Sequence, residues 1–150
     1  MKRHSVLRLA ACLLALVSIS GAGVLSAVGQ SATGKAHKVV FAVTSGDEAD
    51  WNLSLGNIRN LLAGLKPDPV EVEVVAFGGG IVLVKSDSSV AADIAKLQAD
   101  GVKFVACQNS MRARHLELKD LLPGVTPVPS GIVEVVTKQE QGWVYIKGGR

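Results

Sequence analysis

The chain has 150 residues, 48% of them hydrophobic, with 16 Lys and Arg against 13 Asp and Glu. Lys2, Arg3 and Arg8 carry the whole formal charge of +3, so the remainder is balanced and lacks the basic face that nucleic-acid binding requires. About 120 residues follow position 29, enough for one domain with one apolar core.

Residues 1–29 read as a secretory signal peptide. Lys2, Arg3, His4 and Arg8 form a basic start, Leu9 to Ile19 is apolar, and Gly23, Ala27 and Gly29 are each suitable last residues before cleavage. Leu9-Ala10-Ala11-Cys12 has the form of a lipoprotein box, but most of the apolar stretch follows the cysteine instead of preceding it. The uncharged run from Leu9 to about Gly34 is long enough to stay as a membrane anchor, although its Gly-, Ser- and Ala-rich second half suits a cleaved leader. The expected location is the periplasm, with membrane attachment only through a retained leader. Cys107 is then the sole thiol of the mature chain, which an internal disulfide cannot hold together.

Residues 30–37 are small and polar, a flexible lead-in to a domain over residues 38–150. Lys38–Thr44 is β-branched and apolar, the pattern of a buried strand. A polar turn, Ser45–Asp50, leads to a helix whose Leu55, Ile58, Leu61, Leu62 and Leu65 recur at threes and fours, with Asp50 as cap and Gly64 and Pro67 as its end. Val70–Phe77 is a second strand, broken by a flexible loop at Gly78-Gly79-Gly80. Ile81–Val84 reads either as a strand extension or as an apolar loop over a crevice. Ser88–Asp100 is a second helix stopped by Gly101, and Val102–Ala106 a third strand. A short helix, Gln108–Leu116, and a turn at Lys119–Leu122 follow. Val125–Val128 is a short strand, Ser130 caps a helix over Ile132–Gln141 that pairs Glu134 with Lys138, and Trp143–Ile146 is the last strand. Strands and helices alternate, which predicts an α/β fold with a parallel sheet covered on both faces.

In such a fold, ligands bind outside the carboxyl ends of the strands. Four loops lie there: Ser45–Asp50, Gly78–Gly80, Cys107–Ser110 and Pro129–Gly131. Only one carries a strong nucleophile. A helix starting near Asn109 would aim backbone N–H groups at the Cys107 sulfur, and Arg112 would return to that side one turn later, both favouring a thiolate. The same position also suits a small packing residue. His115 is either a base near Cys107 or a solvent-facing side chain. Asp47, Glu48 and Asp50 suit a solvated capping turn better than an acid–base pair, and Trp51, Trp143 and Tyr145 suit core or subunit contacts. Neither a dinucleotide fingerprint nor a P-loop is present, and His4, His37 and His115 are too dispersed for a metal set, so no cofactor is expected.

Phe104-Val105-Ala106-Cys107-Gln108-Asn109-Ser110-Met111-Arg112-Ala113, Leu121-Leu122-Pro123-Gly124-Val125, Val128-Pro129-Ser130-Gly131-Ile132-Val133-Glu134 and Gln141-Gly142-Trp143-Val144-Tyr145-Ile146 together resemble the DsrE/DsrF-like (DsrEFH-like) family. Lys38–Phe41 and Trp51–Asn57 fit as well, so the resemblance covers about residues 37–147, and the chain looks closest to an exported branch with a Cys-x-Asn-(Ser/Thr)-Met motif. The resemblance implies a three-layer α/β/α sandwich around a mainly parallel five-stranded sheet, assembled as a homotrimer or homohexamer. In sulfur-relay members a cysteine of the matching loop carries sulfane sulfur as a persulfide, with a donor or acceptor protein as partner. Carried over to this chain, Cys107 is the sulfur carrier, while Asn109, Ser110 and Arg112 stabilise the anion. The export leader and the Gln108–Met111 surroundings depart from the cytoplasmic relay members. Two other readings stay open: a non-catalytic oligomeric ligand- or partner-binding module, and a thiol redox sensor.

Overall fold

Five short runs rich in β-branched residues align as β1 (His37–Val43), β2 (Val70–Ala76), β3 (Lys103–Cys107), β4 (Thr126–Val128) and β5 (Val144–Gly148). They pair in the order β4-β3-β2-β1-β5, and every pairing is parallel. The computed structural model describes residues 34–150; the leader, lipoprotein-box and anchor readings fall on residues outside these. None of the helices among the described residues is long and apolar enough to cross a membrane.

The two-residue period of the strands divides their side chains between two cores. Val39, Phe41 and Val43 of β1, Val72, Val74 and Ala76 of β2, and Phe104 and Ala106 of β3 point to one face. There they meet Trp51, Leu55 and Ile58 of α1 (Glu48–Gly64), Ile94 and Leu97 of α2 (Ala91–Ala99), and Met111 of α3 (Gln108–Ala113). The intervening positions Val40, Ala42, Val75 and Val105 point to the other face, against Val135 of α4 (Gly131–Glu140) and Trp143. Leu55 and Ile58 are essentially inaccessible, and each contributes about 1.5–3 kcal/mol by leaving water. The architecture is therefore a three-layer α/β/α sandwich.

Strand order explains why α4 stands apart. From β1 to β4 the chain advances in one direction across the sheet, and right-handed crossovers keep the connecting helices on one face. The step from β4 to β5 returns past three strands, so the same handedness puts α4 on the opposite face. The segments leaving β3 and β4 consequently diverge, which makes the crevice between their carboxyl ends the switch point of the sheet. Pro127 is tolerated in β4 because that strand is an edge, pairing only with β3.

Several local expectations need correction. Asp47, not Asp50, caps α1: its carboxylate accepts the Ala49 N–H at 2.9 Å, while Asp50 lies buried in the first turn. Gly78–Gly80 is no flexible loop but the start of a 3₁₀ helix, Gly78–Val84, whose Ile81, Leu83 and Val84 are fully buried. A Cβ on Gly80 would stand 2.1 Å from the Val43 carbonyl oxygen, so these glycines permit close approach to the end of β1. Ser130 occupies the cap position of α4, yet its side chain makes no capping bond. The predicted helix starting at Ser88 begins at Ala91, and the last strand starts at Val144, after Trp143 has turned into the second core.

Helices α3 and α4 end in the same way. After α4, the Gly142 N–H bonds to Gln139 and the Trp143 N–H to Lys138, a Schellman ending with Gly142 at φ 82°. The end of α3 repeats it: the His115 N–H reaches Arg112, the Leu116 N–H reaches Met111, and His115 takes the left-handed conformation at φ 55°. His115 is exposed and serves the backbone at this position.

Candidate functional site at the switch point

Cys107 is the last residue of β3 and the residue immediately before α3, in register with Val128 of β4. Its thiol is free and 4% exposed. The divergence of α3 and α4 brings the first turns of both helices to this position. Burial pushes the Cys107 thiol up. The Ser110 hydroxyl and the backbone N–H groups of Gly131, Ser110 and Asn109 outweigh that effect and leave the thiol below its ordinary range. The sulfur makes no capping hydrogen bond to α3. These donors therefore provide a polar lining that an anionic sulfur would engage more strongly than a thiol does.

The 3₁₀ segment after β2 braces this lining. The Gly78 N–H donates to the Ser110 Oγ at 2.8 Å, tying the carboxyl end of β2 to the first turn of α3. Gly131 meets β2 as well: a Cβ there would lie 2.7 Å from Phe77 Cβ, so only glycine lets α4 begin this close to the sheet. Above the loop is an open cleft of about 550 Å³ lined by Gly78, Asn109, Ser110, Ala113 and Arg114. The Cys107 sulfur does not line it.

The sequence-predicted residues divide as follows. The structure brings Cys107, Ser110 and the Asn109 backbone together. The Arg112 guanidinium donates to the Asn109 side-chain oxygen, so its direct partner is Asn109. Of the acidic turn, Asp47 and Asp50 both bind Arg150, at 3.3 and 3.0 Å. The Ser45 hydroxyl, followed by the Arg150 side chain and N–H, holds the Asp50 carboxyl down at about 2.

Two features escape sequence reasoning. In the sequence Gly131 is only one residue of a loop, and its role depends on the reversal of α4 to the second face. Glu73 lies in the centre of β2, 4% exposed, with Lys138 Nζ 2.7 Å from one carboxylate oxygen. Its other oxygen has no partner among the described residues, and burial pushes its carboxyl up against the opposing pull of Lys138. Lys138 also reaches Glu134 at 3.5 Å, as their four-residue spacing predicts, and lies 4.4 Å over the Trp143 ring. A carboxylate carried into the buried half of a central strand, two residues after the exposed Glu71, is the sequence signal for this cluster.

The family model described as the DsrE/DsrF-like family matches residues 37–147. A solved protein of unknown function from Methanobacterium thermoautotrophicum, MTH1491, is 40% identical, with a TM-score of 0.71 over 74% of this chain and 98% of that one. The ychN protein of E. coli shares the fold at 15% identity, with a TM-score of 0.58 over 75% of this chain and 99% of its own. No curated protein matches the chain. Five parallel strands, a free cysteine at their switch point and a family match spanning nearly every described residue lead to one assignment: the chain belongs to the DsrE/DsrF-like family.

Proposed function

We propose that this protein is an exported sulfur carrier whose Cys107 reversibly holds sulfane sulfur as a persulfide. Family membership supports a sulfur-relay-related function at the level of the family. The observation that carries the finer reading is the position of one free, buried thiol at the end of β3, immediately before α3 and in register with Val128 of β4, beside a Ser110 hydroxyl braced by the Gly78 N–H. In the loading step, the Cys107 thiolate attacks the outer sulfur of a donor persulfide. A new S–S bond forms on Cys107, the donor's S–S bond breaks, and its electron pair leaves with the donor thiolate. Sulfur moves without net oxidation. The proton of the outer sulfur moves with it or is lost to solvent. Asn109 and Ser110 hold the product anion, and Arg112 acts through Asn109.

Intact mass after incubation with a low-molecular-weight persulfide tests the reading. The expected result is a gain of one sulfur that dithiothreitol removes and that Cys107→Ser abolishes. A thiol that alkylates readily yet gains no sulfur overturns it. Mass measured on protein from the native cell envelope tests export in the same way: loss of the first 23 to 29 residues is expected, and an intact leader contradicts the cleaved form.

A second reading, ligand binding without thiol chemistry, is favoured by the burial of the sulfur and its absence from the lining of the cleft. Under that reading Cys107→Ser keeps full function in cellular sulfur oxidation.

Self-association into a homotrimer or homohexamer is also proposed. Ile132, Val133 and Val136 stand 57%, 60% and 46% exposed on α4, and Val144 and Tyr145 stand exposed on the β5 edge. Monomers seldom expose such a concentration of apolar side chains without using it.

A further inference from the structure

Helix α4 meets β2 at two levels on the second face of the sheet. Its first residue, Gly131, lies against Phe77, and Lys138, two turns later, bonds to Glu73. Four residues along a strand cover about 13 Å, and seven along a helix about 10.5 Å. The lysine stem spans the remainder, so both contacts are made at one axial position of the helix.

The two contacts differ in kind. Gly131 on Phe77 is a van der Waals contact that sets how close the helix lies to the sheet but tolerates sliding along the helix axis. The ion pair does not: Glu73 is 4% exposed and its second oxygen has no partner among the described residues. A shift of Lys138 would leave a buried carboxylate without its cation, the arrangement most costly to a folded chain. Lys138 is held in turn by Glu134 at 3.5 Å and by the Trp143 ring at 4.4 Å. The surrounding buried cluster is small, comprising Val40, Ala42, Val75, Val105, Val135 and Trp143. An apolar pair at these two positions would enlarge it at no cost in desolvation, whereas a buried pair of charges fixes register.

We propose that Glu73 and Lys138 are positioning residues for the thiol site: their bond sets the axial position of α4 and thereby holds its first turn, which follows Val128, beside Cys107. Neither side chain touches the sulfur. They act through a helix whose far end forms one wall of the site. The inference rests on the reading of Cys107 as a working thiol, and it assigns that site a control residue on the central part of β2.

The test is the pH profile of Cys107 alkylation by iodoacetamide in the purified chain, comparing wild type with Glu73→Gln and Lys138→Met. Gln preserves the shape of Glu73, and Met preserves the stem over Trp143, so the two variants weaken the bond from either side. The expected result is an upward shift of the midpoint in both. Alkylation at neutral pH should slow about three- to tenfold, since one unit of thiol pKa is tenfold in thiolate. Lys138→Arg, which can remake the bond, should return the midpoint towards wild type. Lys96→Met, which removes the exposed pair with Asp93, should leave it unchanged. Variants that melt earlier but keep the wild-type midpoint overturn the inference, because the pair is then only structural. If Glu73→Gln fails to fold, Lys138→Met decides alone. No sulfur reagent enters the measurement, so failure of wild type to take up sulfur would defeat the carrier reading and leave this result standing.

Discussion

The Ser110 hydroxyl accepts the Gly78 N–H at 2.8 Å, which leaves its own proton for the Cys107 sulfur. One side chain thus joins the turn after β2 to the thiol after β3. Ser110→Ala removes the hydroxyl that most strongly lowers the thiol. The expected outcome is a higher thiol pKa and about three- to tenfold less thiolate at neutral pH, read by ultraviolet titration of the thiolate. An unchanged titration curve would remove Ser110 from the site.

Gly131→Ala puts a Cβ 2.7 Å from Phe77 Cβ. Relieving that overlap moves the first turn of α4 away from β2, at a cost of about 1–3 kcal/mol. Stability in urea should fall and the Cys107 thiol pKa should rise together. Adding Phe77→Leu should recover part of both losses, and a double variant no better than the single one would refute the contact as the cause.

His115 and Gly142 hold the same left-handed position at the ends of two helices, with opposite suitability. His115→Gly should stabilise the chain by about 1 kcal/mol, and Gly142→Ala should destabilise it by a similar amount. Urea midpoints at constant slope check both. Because the role of His115 lies in its backbone conformation, the first variant should also leave Cys107 alkylation unchanged.

Asp50 gives the acid limb a defined sign. Its folded carboxyl is lowered from 3.8 to about 2, so it contributes stability at every pH above the unfolded value. That contribution is lost as pH falls through the window between those two values. Asp50→Asn should lower the melting temperature at neutral pH and flatten its dependence on pH in that window. Parallel curves for the two proteins would contradict the assignment.

For self-association, Val133→Lys places a charge among the exposed apolar residues of α4 without touching the buried Val135. Light scattering should report a lower mass for this variant at unchanged circular dichroism. An unchanged mass would move the contact elsewhere.

Much of the fold is legible in the sequence because buried parallel strands are short β-branched runs and helices repeat at threes and fours. KVVFAV and VEVEVVAF announce β1 and β2, and Gly101 and Gly142 mark where helices end. The misreadings share a physical cause. Gly78–Gly80 looks flexible in sequence because nothing there reveals the approach to the Val43 carbonyl. Asp50 reads as the cap because nothing in the sequence reveals that Arg150 binds it while Asp47 caps the helix. At the site, Cys107 and Ser110 lie within one continuous segment and are legible, whereas Gly131 reaches it only through packing across the second face, where the buried Glu73–Lys138 pair also lies. Local pattern carries the first kind of information and strand order the second.

Strand order also has a consequence in time. β1 lies inside the sheet, yet its partner on one side, β5, is supplied by residues 144–148, about a hundred residues after it. During synthesis Val39–Val43 keeps one edge unpaired until residues 144–148 have emerged. Sheet closure is therefore a late, long-range event of the kind that slows folding. A chain stopped just short of Val144 would have four strands and an open apolar edge, poorly suited to solution and well suited to capture by a chaperone.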